Sequence, residues 1–438
     1  MMTNTSLSSQ WQQVRLPYRC PNGPSLVVST QLLDHCGQVH YMFDFERQCG
    51  IRINIDLADY VSRASAGSWC PTGVLPLALP RPEQWIAFCI GPHSVTPLTK
   101  NLFLVGQRAF DRFIGFNIGD RSAYLIDPGV GEHFLSCSNW FDRENGELWF
   151  ASWDIEDTFC RTSDPLYPVR IKIWRRSLKE EHSSEVWAGR GGDFLHQLNM
   201  SDDRRLLVLC EMGMRPSLAV PPGHPGTYPS EWKNFQLNGV IPSEVIVLDL
   251  VFGREWRLPL PIATAAHVEF DPCNPHRFYV SCHNMGLVNG SNILFGPGAV
   301  YRFDLQSNGP QQTGVYTGND FYRITTHHLF RHHGRTLMAV TGFPDSIFLI
   351  DVETMTLHRK IALFVGDPVD TDSRPHFCKQ EPRSPYSLHS SADGIDLYVV
   401  GNGVLFLVEV ATGRLKEPPW SFYPDSDRET VTGHVTVY

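Results

Sequence analysis

The sequence predicts an all-β fold, a single β-propeller of seven blades, with six blades as the alternative count. One observation is a module of short apolar strands and Asp-Gly or Asn-Gly turns that recurs along the chain at roughly 60-residue spacing. Another is that no long segment has helical periodicity. A single four-stranded blade cannot cover both of its faces, so such modules stack radially and close into a ring.

Each module contains a first strand, a polar turn, an apolar strand and an amphipathic strand that ends in Asp and turn residues. The modules cover residues 39–55, 101–127, 141–150, 200–249, 270–304, 332–354 and 388–413. We expect the final strand, residues 430–438, to complete the N-terminal blade, so that residues 1–438 form one domain. The insertions 215–240 and 364–385 are rich in Pro, Gly and His and are predicted to be loops over one face.

Composition excludes several classes of function. The chain has 438 residues, 42% of them apolar and 19% charged, with a net charge of -9, which disfavours nucleic acid as a partner. Eleven cysteines without CxxC spacing fit reduced core thiols. No apolar run is long enough to span a membrane and no signal sequence is visible, so we expect a cytoplasmic protein. The oligomeric state stays open.

The geometry of a blade predicts where polar side chains meet. The start of the innermost strand and the end of the second strand lie at the same edge, so these positions from every blade surround one mouth of the central channel. His196, His267 and His327 stand at innermost-strand starts. Their register differs, because His267 lies four residues before the turn Asp271 and His196 lies five before Ser201.

Further candidates stand at or just after second-strand ends. Glu211 and Arg215 follow a strongly apolar strand, and with the three histidines they form the predicted catalytic set. An interblade ion pair is the alternative interpretation of these two residues. The predicted substrate contacts are Gln107, Arg108, Trp153, Asp154, His283, Asn284 and Asn402.

The recurring histidines have two interpretations. A single histidine at such a position can bond turn or backbone groups and serve only the fold. Several at corresponding places can ligate a metal or act as acid–base groups near neutral pH. The sequence contains no G-x-S-x-G elbow, Walker loop, H-E-x-x-H or Rossmann glycine pattern.

Two stretches, DGIDLYVV and FLIDVET, resemble YVTN-type and lactonase-like propeller repeats, which implies a fold more than a function. Residues 194–201 resemble the segment around one iron ligand of the carotenoid-cleavage oxygenases, seven-bladed propellers that hold iron by four histidines. Residues 432–435 are similar to that family's terminal ligand motif. The resemblance implies Fe(II) held by His196, His267, His327 and His434. Residues 138–142 resemble the segment of the first ligand, but Ser138 stands in place of histidine.

The chain is also similar, in its size, aromatic content and lack of a standard catalytic motif, to fungal hetero-Diels-Alderases of tropolone-sesquiterpenoid pathways. That resemblance implies no cofactor and no metal. It implies an apolar terpenoid or polyketide substrate in the channel, dehydration to a quinone methide and a cycloaddition in which bound geometry lowers the barrier.

Three functions therefore compete. The preferred hypothesis is a cofactor-independent cyclase of secondary metabolism that acts on an apolar small molecule. The alternatives are a non-haem iron oxygenase and an interaction scaffold without catalysis. Bound metal distinguishes the second from the first, and a channel that binds neither metal nor small molecule favours the third.

Overall fold

The computed structural model shows seven antiparallel sheets arranged as the blades of a propeller. The seven-bladed prediction is confirmed, and the alternative of six blades is wrong. The structure describes residues 4–16, 25–32, 37–45, 47–59, 91–107, 110–131, 133–154, 169–180, 182–191, 195–211, 243–262, 264–288, 291–294, 296–322, 324, 326–342, 345–363, 385–401, 404–421 and 429–438. The predicted loop insertions 215–240 and 364–385 lie outside these residues, except for Pro385, which begins a strand.

The first four blades follow one another along the chain, each built from the axis outward. Blade 1 contains β6 (Pro92–Pro97), β7 (Leu102–Gln107), β8 (Phe113–Asn117) and β9 (Ser122–Ile126), with β1 (Asn4–Leu7) on its outer edge. Blade 2 contains β10 (His133–Asp142), β11 (Glu147–Asp154), β12 (Val169–Ser177) and β13 (Ser184–Gly191). Blade 3 contains β14 (Leu195–Met200), β15 (Leu206–Glu211), β16 (Glu244–Asp249) and β17 (Arg254–Pro259). Blade 4 contains β18 (Ala265–Asp271), β19 (Asn274–Cys282), β22 (Ala299–Gln306) and β23 (Gly309–Tyr316), and a hairpin of β20 (Met285–Val288) and β21 (Ser291–Leu294) follows β19.

The last three blades include the one that joins the two ends of the chain. Blade 5 contains β24 (His327–His332), β25 (Arg335–Gly342), β26 (Ser346–Asp351) and β27 (Thr356–Ala362). Blade 6 contains β28 (Pro385–Ser390), β29 (Asp396–Gly401), β30 (Val404–Glu409) and β31 (Trp420–Ser421). Blade 7 contains β32 (Glu429–Val437), β3 (Leu26–Leu32), β4 (Gly37–Asp44), β5 (Cys49–Asp56) and β2 (Ser9–Val14). Its innermost strand therefore comes from the C-terminal part of the chain and its other strands from the N-terminal part.

The recurring Asp at the end of the third strand closes a turn. Asp249 Oδ1 accepts hydrogen bonds from the backbone N–H groups of Val251 and Phe252, both at 3.1 Å. Asp351 closes the corresponding turn of blade 5 in the same way. A carboxylate that satisfies backbone donors two and three residues ahead fixes the reversal between strands. This local chemistry explains why the module is visible in the sequence.

The apolar core lies in layers between neighbouring blades. Between blades 7 and 1, for example, Val27 and Ile53 pack in one cluster with Phe103 and Phe116, and all four are fully buried. Comparable clusters lie between blades 1 and 2, 3 and 4, 4 and 5, 5 and 6, and 6 and 7. Because each layer needs both of its blades, burial of apolar surface favours a closed ring.

Near the axis, hydrogen bonds cross every interface between blades. From donor to acceptor they are Ser94 Oγ to Cys137 O, Cys137 Sγ to His196 O, His196 Nδ1 to Ala266 O, Leu329 N to Glu269 Oε2, Thr326 Oγ1 to Tyr386 O, Val435 N to Ser387 Oγ, and Thr436 Oγ1 to Val95 O. The seven innermost strands are thus tied around the channel. Within the part of the chain that the structure describes, no helix has the length and apolar character needed to cross a membrane.

Candidate functional site

Bulges mark the start of several innermost strands. The pairing between the first and second strands shifts by one residue at His93 in β6, at His196 in β14, at Ala266 in β18 and at Tyr386 in β28. A bulge leaves one residue out of the ladder and re-aims its side chain. In β18 the extra residue is Ala266, and His267 follows it directly. These bulges bring side chains from different blades to one place.

Four histidines from four blades form a ring at the axis. The ring centroids of His93 and His196 lie 4.4 Å apart, those of His196 and His267 4.6 Å, those of His267 and His434 4.9 Å, and those of His434 and His93 4.3 Å. Across this ring, His93 and His267 are 6.1 Å apart. The four side chains therefore form a closed ring with members from blades 1, 3, 4 and 7, in which His93 and His267 are the more distant pair.

This spacing can be compared with that of imidazoles around a metal ion. With a metal–nitrogen distance of about 2.1 Å and the ring centre about 1.1 Å behind the nitrogen, rings at right angles have centroids about 4.5 Å apart and opposite rings about 6.4 Å. A tetrahedral arrangement would make all separations equal. The observed neighbours at 4.3–4.9 Å and the pair at 6.1 Å match positions at right angles and one opposite pair around an octahedral ion, and they do not match a tetrahedron.

The ligand atoms themselves are less regular than the ring centres. Among the described residues, one group of three has its ligand atoms within 4.8 Å of one another, and its members are His93, Cys137 and His196, all of them buried. His267 and His434 have the centroid spacing of the ring without belonging to that group. Rotation of an imidazole about its Cβ–Cγ bond moves the nitrogens while the centroid stays nearly fixed, and this torsion is broad. Binding of one ion by all four histidines would therefore require such rotations to bring the nitrogens together.

A hydrogen bond sets the tautomer of His196. Its Nδ1 lies 2.6 Å from the carbonyl oxygen of Ala266, which can only accept, so Nδ1 carries the proton and Nε2 has the lone pair. The Ala266 carbonyl stands directly before His267 and thus links two members of the ring. An outer hydrogen bond of this kind is how proteins orient a metal-binding histidine. The Cys137 thiol donates to the backbone oxygen of His196 at 2.8 Å.

Burial keeps His267 neutral. Desolvation lowers the pKa of His267 well below its ordinary value, and the neighbouring His196, His434, His93 and His283 lower that pKa further. A neutral imidazole is the protonation state that binds a metal or accepts a proton. His267 thus offers a nitrogen lone pair at this position.

His327 and His283 lie at the edge of this ring. The ring centroids of His267 and His327 are 6.4 Å apart, and those of His267 and His283 are 6.1 Å apart. Burial lowers the pKa of His327 to about 4, and neither of its ring nitrogens has a hydrogen-bond partner among the described residues. Asn284 next to His283 has φ 52° and donates from Nδ2 to the Pro297 carbonyl at 2.9 Å.

The described candidates at the second-strand ends are mostly held in contacts with other parts of the protein. Glu211 is 3% exposed and pairs with Leu195 beside His196. Its carboxylate lies so close to Gly191 that a Cβ there would be 1.9 Å from Oε1. It is therefore packed into the blade 2 and blade 3 interface.

Asp154 and Gln107 already have protein partners. Asp154 forms an ion pair with Arg170 at 2.8 Å, and the adjacent Trp153 is fully buried. Gln107 donates from Nε2 to the Val105 carbonyl at 2.7 Å. The other three predicted candidates, Arg108, Arg215 and Asn402, lie outside the described residues.

The sequence prediction did not include His93. The ligand set that the resemblance implies contains His327, whereas the ring of four contains His93 from blade 1. Ser138, which stands where the resemblance requires histidine, donates to the Leu198 carbonyl at 3.2 Å, and the neighbouring Cys137 is the blade 2 residue near the ring. The only signal for His93 was its place one short loop ahead of the apolar strand β7.

Comparison with known proteins gives this chain no family. The sequence matches no protein-family model and no curated protein. Among solved structures, 1129 chains match, and one of them is the WD40 β-propeller domain of Doa1. It is 12% identical in sequence, has a TM-score of 0.46, and the match covers 76% of this chain and 82% of that one.

Proposed function

We propose that this chain is a metal-dependent enzyme whose ion is held in the propeller channel by His93, His196, His267 and His434. The observation that carries the proposal is the closed ring of four imidazoles, with neighbouring centroids at 4.3–4.9 Å and the His93–His267 pair at 6.1 Å. Four histidines from four blades meet there because the bulges and the closed ring bring them together. A role in the fold alone does not require this spacing.

Geometry argues against a structural zinc, and the resemblance selects iron among the remaining ions. Imidazole nitrogens suit Zn, Cu, Fe and Ni alike. Structural zinc is tetrahedral, whereas ring centroids that include one opposite pair correspond to an octahedral ion with positions left open. Ferrous iron is the ion that the resemblance of residues 194–201 implies. When bound, such an ion supplies the capacity to bind and activate dioxygen next to an apolar substrate.

Two features of the protein suit this position to a metal ion. The Ala266 carbonyl orients His196, and burial keeps His267 neutral at physiological pH. We expect the substrate to be an apolar small molecule that approaches from the mouth on which the strand starts converge.

A metal-free cyclase is the second candidate, and His327 supports it. This buried, neutral histidine has no hydrogen-bond partner for either ring nitrogen among the described residues. It can accept a proton or donate a hydrogen bond to a bound substrate without any metal, as dehydration and cycloaddition would require. The two candidates differ in whether the ring of four histidines binds a metal ion.

Metal analysis of the full chain tests the proposal. The protein is purified without a metal-binding tag, incubated anaerobically with Fe(II), desalted and analysed for iron. We expect about one iron per chain, and a loss of about tenfold or more in His267→Ala. His182→Ala is the matched control, because His182 is exposed and far from β18 in the chain.

An iron content that is the same in wild type and His267→Ala would overturn the metal proposal. If, in addition, an apolar ligand binds to the wild type and loses affinity in His327→Ala, the metal-free cyclase takes its place. Both variants are first compared with wild type by circular dichroism, so that loss of folding is recognised.

A further inference from the structure

A second group of polar side chains lies at the axis, separate from the ring of four. Glu269 in β18, His328 in β24 and Ser390 in β28 belong to three successive blades. His328 Nδ1 lies 3.1 Å from Glu269 Oε1, and His328 Nε2 lies 3.2 Å from Ser390 Oγ. The three side chains thus form one continuous hydrogen-bonded chain across the front of blade 5.

The chemistry of the partners sets the direction of the protons. A Glu269 carboxylate can only accept, so Nδ1 of His328 carries the proton. Nε2 then has the lone pair and accepts the hydroxyl proton of Ser390. This is the order of nucleophile, base and orienting carboxylate by which an imidazole activates a serine.

The carboxylate and the imidazole are held on both sides. Glu269 Oε2 accepts the backbone N–H of Leu329 at 2.9 Å, which fixes the carboxylate beside His328. The ring of His389 lies over that of His328 with centroids 4.0 Å apart, and its Nδ1 is 2.9 Å from the Ser390 carbonyl. The geometry is therefore preorganised by residues of blades 5 and 6.

The imidazole and the carboxylate are partly exposed, whereas the serine is buried. The side chains of His328 and Glu269 are 16% and 26% exposed, whereas Ser390 is 6% exposed. Successive residues of a strand point to opposite sides, so His327 contacts His267 while His328 contacts Glu269 and Ser390. His327 and His328 consequently lie on different sides of β24, whereas Glu269 lies on the same side of β18 as His267.

We propose that Ser390 is a nucleophile that His328 and Glu269 activate, and that this second centre accepts small carboxylic esters. Ser390 Oγ forms a bond to the acyl carbon while its proton passes to His328 Nε2. The bond from that carbon to the alkoxy oxygen breaks, and the leaving alcohol takes the proton from His328. Water then repeats the sequence, releasing the acid and restoring the Ser390 hydroxyl. This proposal does not depend on the metal.

Labelling of the full chain with a fluorophosphonate probe tests this proposal. We expect covalent label on Ser390, located by peptide mass spectrometry, and no label there in Ser390→Ala. In His328→Gln and Glu269→Gln the labelling rate should fall by about 10²-fold or more, because base and orienting group are lost. Ser391→Ala is the matched control, since the Ser391 hydroxyl bonds Asp393 in the adjacent turn at 2.6 Å.

Iodoacetamide is smaller than a fluorophosphonate probe and tests the same activation with less demand on space around residue 390. In Ser390→Cys, the thiol should react with iodoacetamide at least about tenfold faster than in the double variant Ser390→Cys/His328→Gln, because the imidazole generates the thiolate. Equal rates in these two proteins, or a wild type that is labelled no faster than Ser390→Ala, would overturn the proposal. The Glu269, His328 and Ser390 side chains would then serve only to tie blades 4, 5 and 6 together.

Discussion

His93 and His434 lie with their ring centroids 4.3 Å apart, although they stand 341 positions apart in the sequence. Their neighbours also join, because Thr436 Oγ1 donates to the Val95 carbonyl at 3.1 Å. The contact that completes the histidine ring is therefore part of the contact that closes the propeller. Fold closure and site assembly depend on the same strand.

Removal of residues 429–438 tests this dependence. The truncation takes away the innermost strand of blade 7 and exposes the edge of β3 together with the apolar layer beside β6. We expect loss of a single cooperative thermal transition and aggregation in size-exclusion chromatography. His434→Ala is the control, because it keeps the strand and should keep a cooperative transition. A truncated protein that melts like wild type would contradict the role of β32 in closure.

The identity of the fourth imidazole gives a second prediction. His93→Ala should lower the iron content by about tenfold or more, whereas His327→Ala should keep it, because His93 completes the ring of four and His327 stands 6.4 Å from His267. The measurement is elemental analysis after anaerobic loading. Iron that is lost in His327→Ala and kept in His93→Ala would instead support the ligand set that the sequence resemblance implies.

Much of the fold was predictable because its determinants are local. The turn carboxylates Asp249 and Asp351 bond backbone groups two and three residues ahead, so their spacing from the apolar strands is visible in the sequence. The same holds for the turn at Gly394, whose φ is +67°. Blade count follows from counting such units.

The site was less predictable because it depends on register. β6 reads PHSVTP, which has proline at both ends and few apolar residues, so no strand is evident around His93. In β14 the extra residue of the bulge is His196 itself, whereas in β18 it is Ala266 and His267 follows. This one-residue difference explains why the two histidines have different offsets from their turns and still meet.

The pH dependence of stability provides a third prediction. His40 is fully buried, and desolvation lowers its pKa to about 3, while an unfolded chain has a histidine pKa of about 6.5. Between these values the unfolded state binds one proton more than the folded state. The free energy of unfolding therefore falls by about 1.4 kcal/mol for each pH unit below about 6.5 on account of this histidine, and is unaffected by it at higher pH.

His40→Gln removes this titration while retaining a polar group near Ser29 and Gln38, which His40 contacts at 2.8 and 3.2 Å. We expect the loss of stability between pH 7 and pH 5 to be smaller in the variant than in wild type, measured by urea denaturation. His182→Gln, at an exposed position, should leave the slope unchanged. Parallel slopes for wild type and His40→Gln would show that His40 does not contribute.

The last prediction concerns Gly394, where two blades approach each other at the turn between β28 and β29. A Cβ at Gly394 would lie 1.7 Å from the backbone oxygen of Arg331, and His332 Nδ1 donates to the Gly394 carbonyl at 2.8 Å. Gly334 is the matched control, because its φ is +79° and a Cβ there would meet nothing within 4 Å.

Both substitutions by alanine carry the strain of positive φ, about 1 kcal/mol. Gly394→Ala must also push blade 6 away from β24, so its free energy of unfolding should be lower than that of Gly334→Ala by about 1–3 kcal/mol in chemical denaturation. Equal values for the two variants would mean that the blades separate here at no cost, and the hydrogen bond from His332 would then not hold them together.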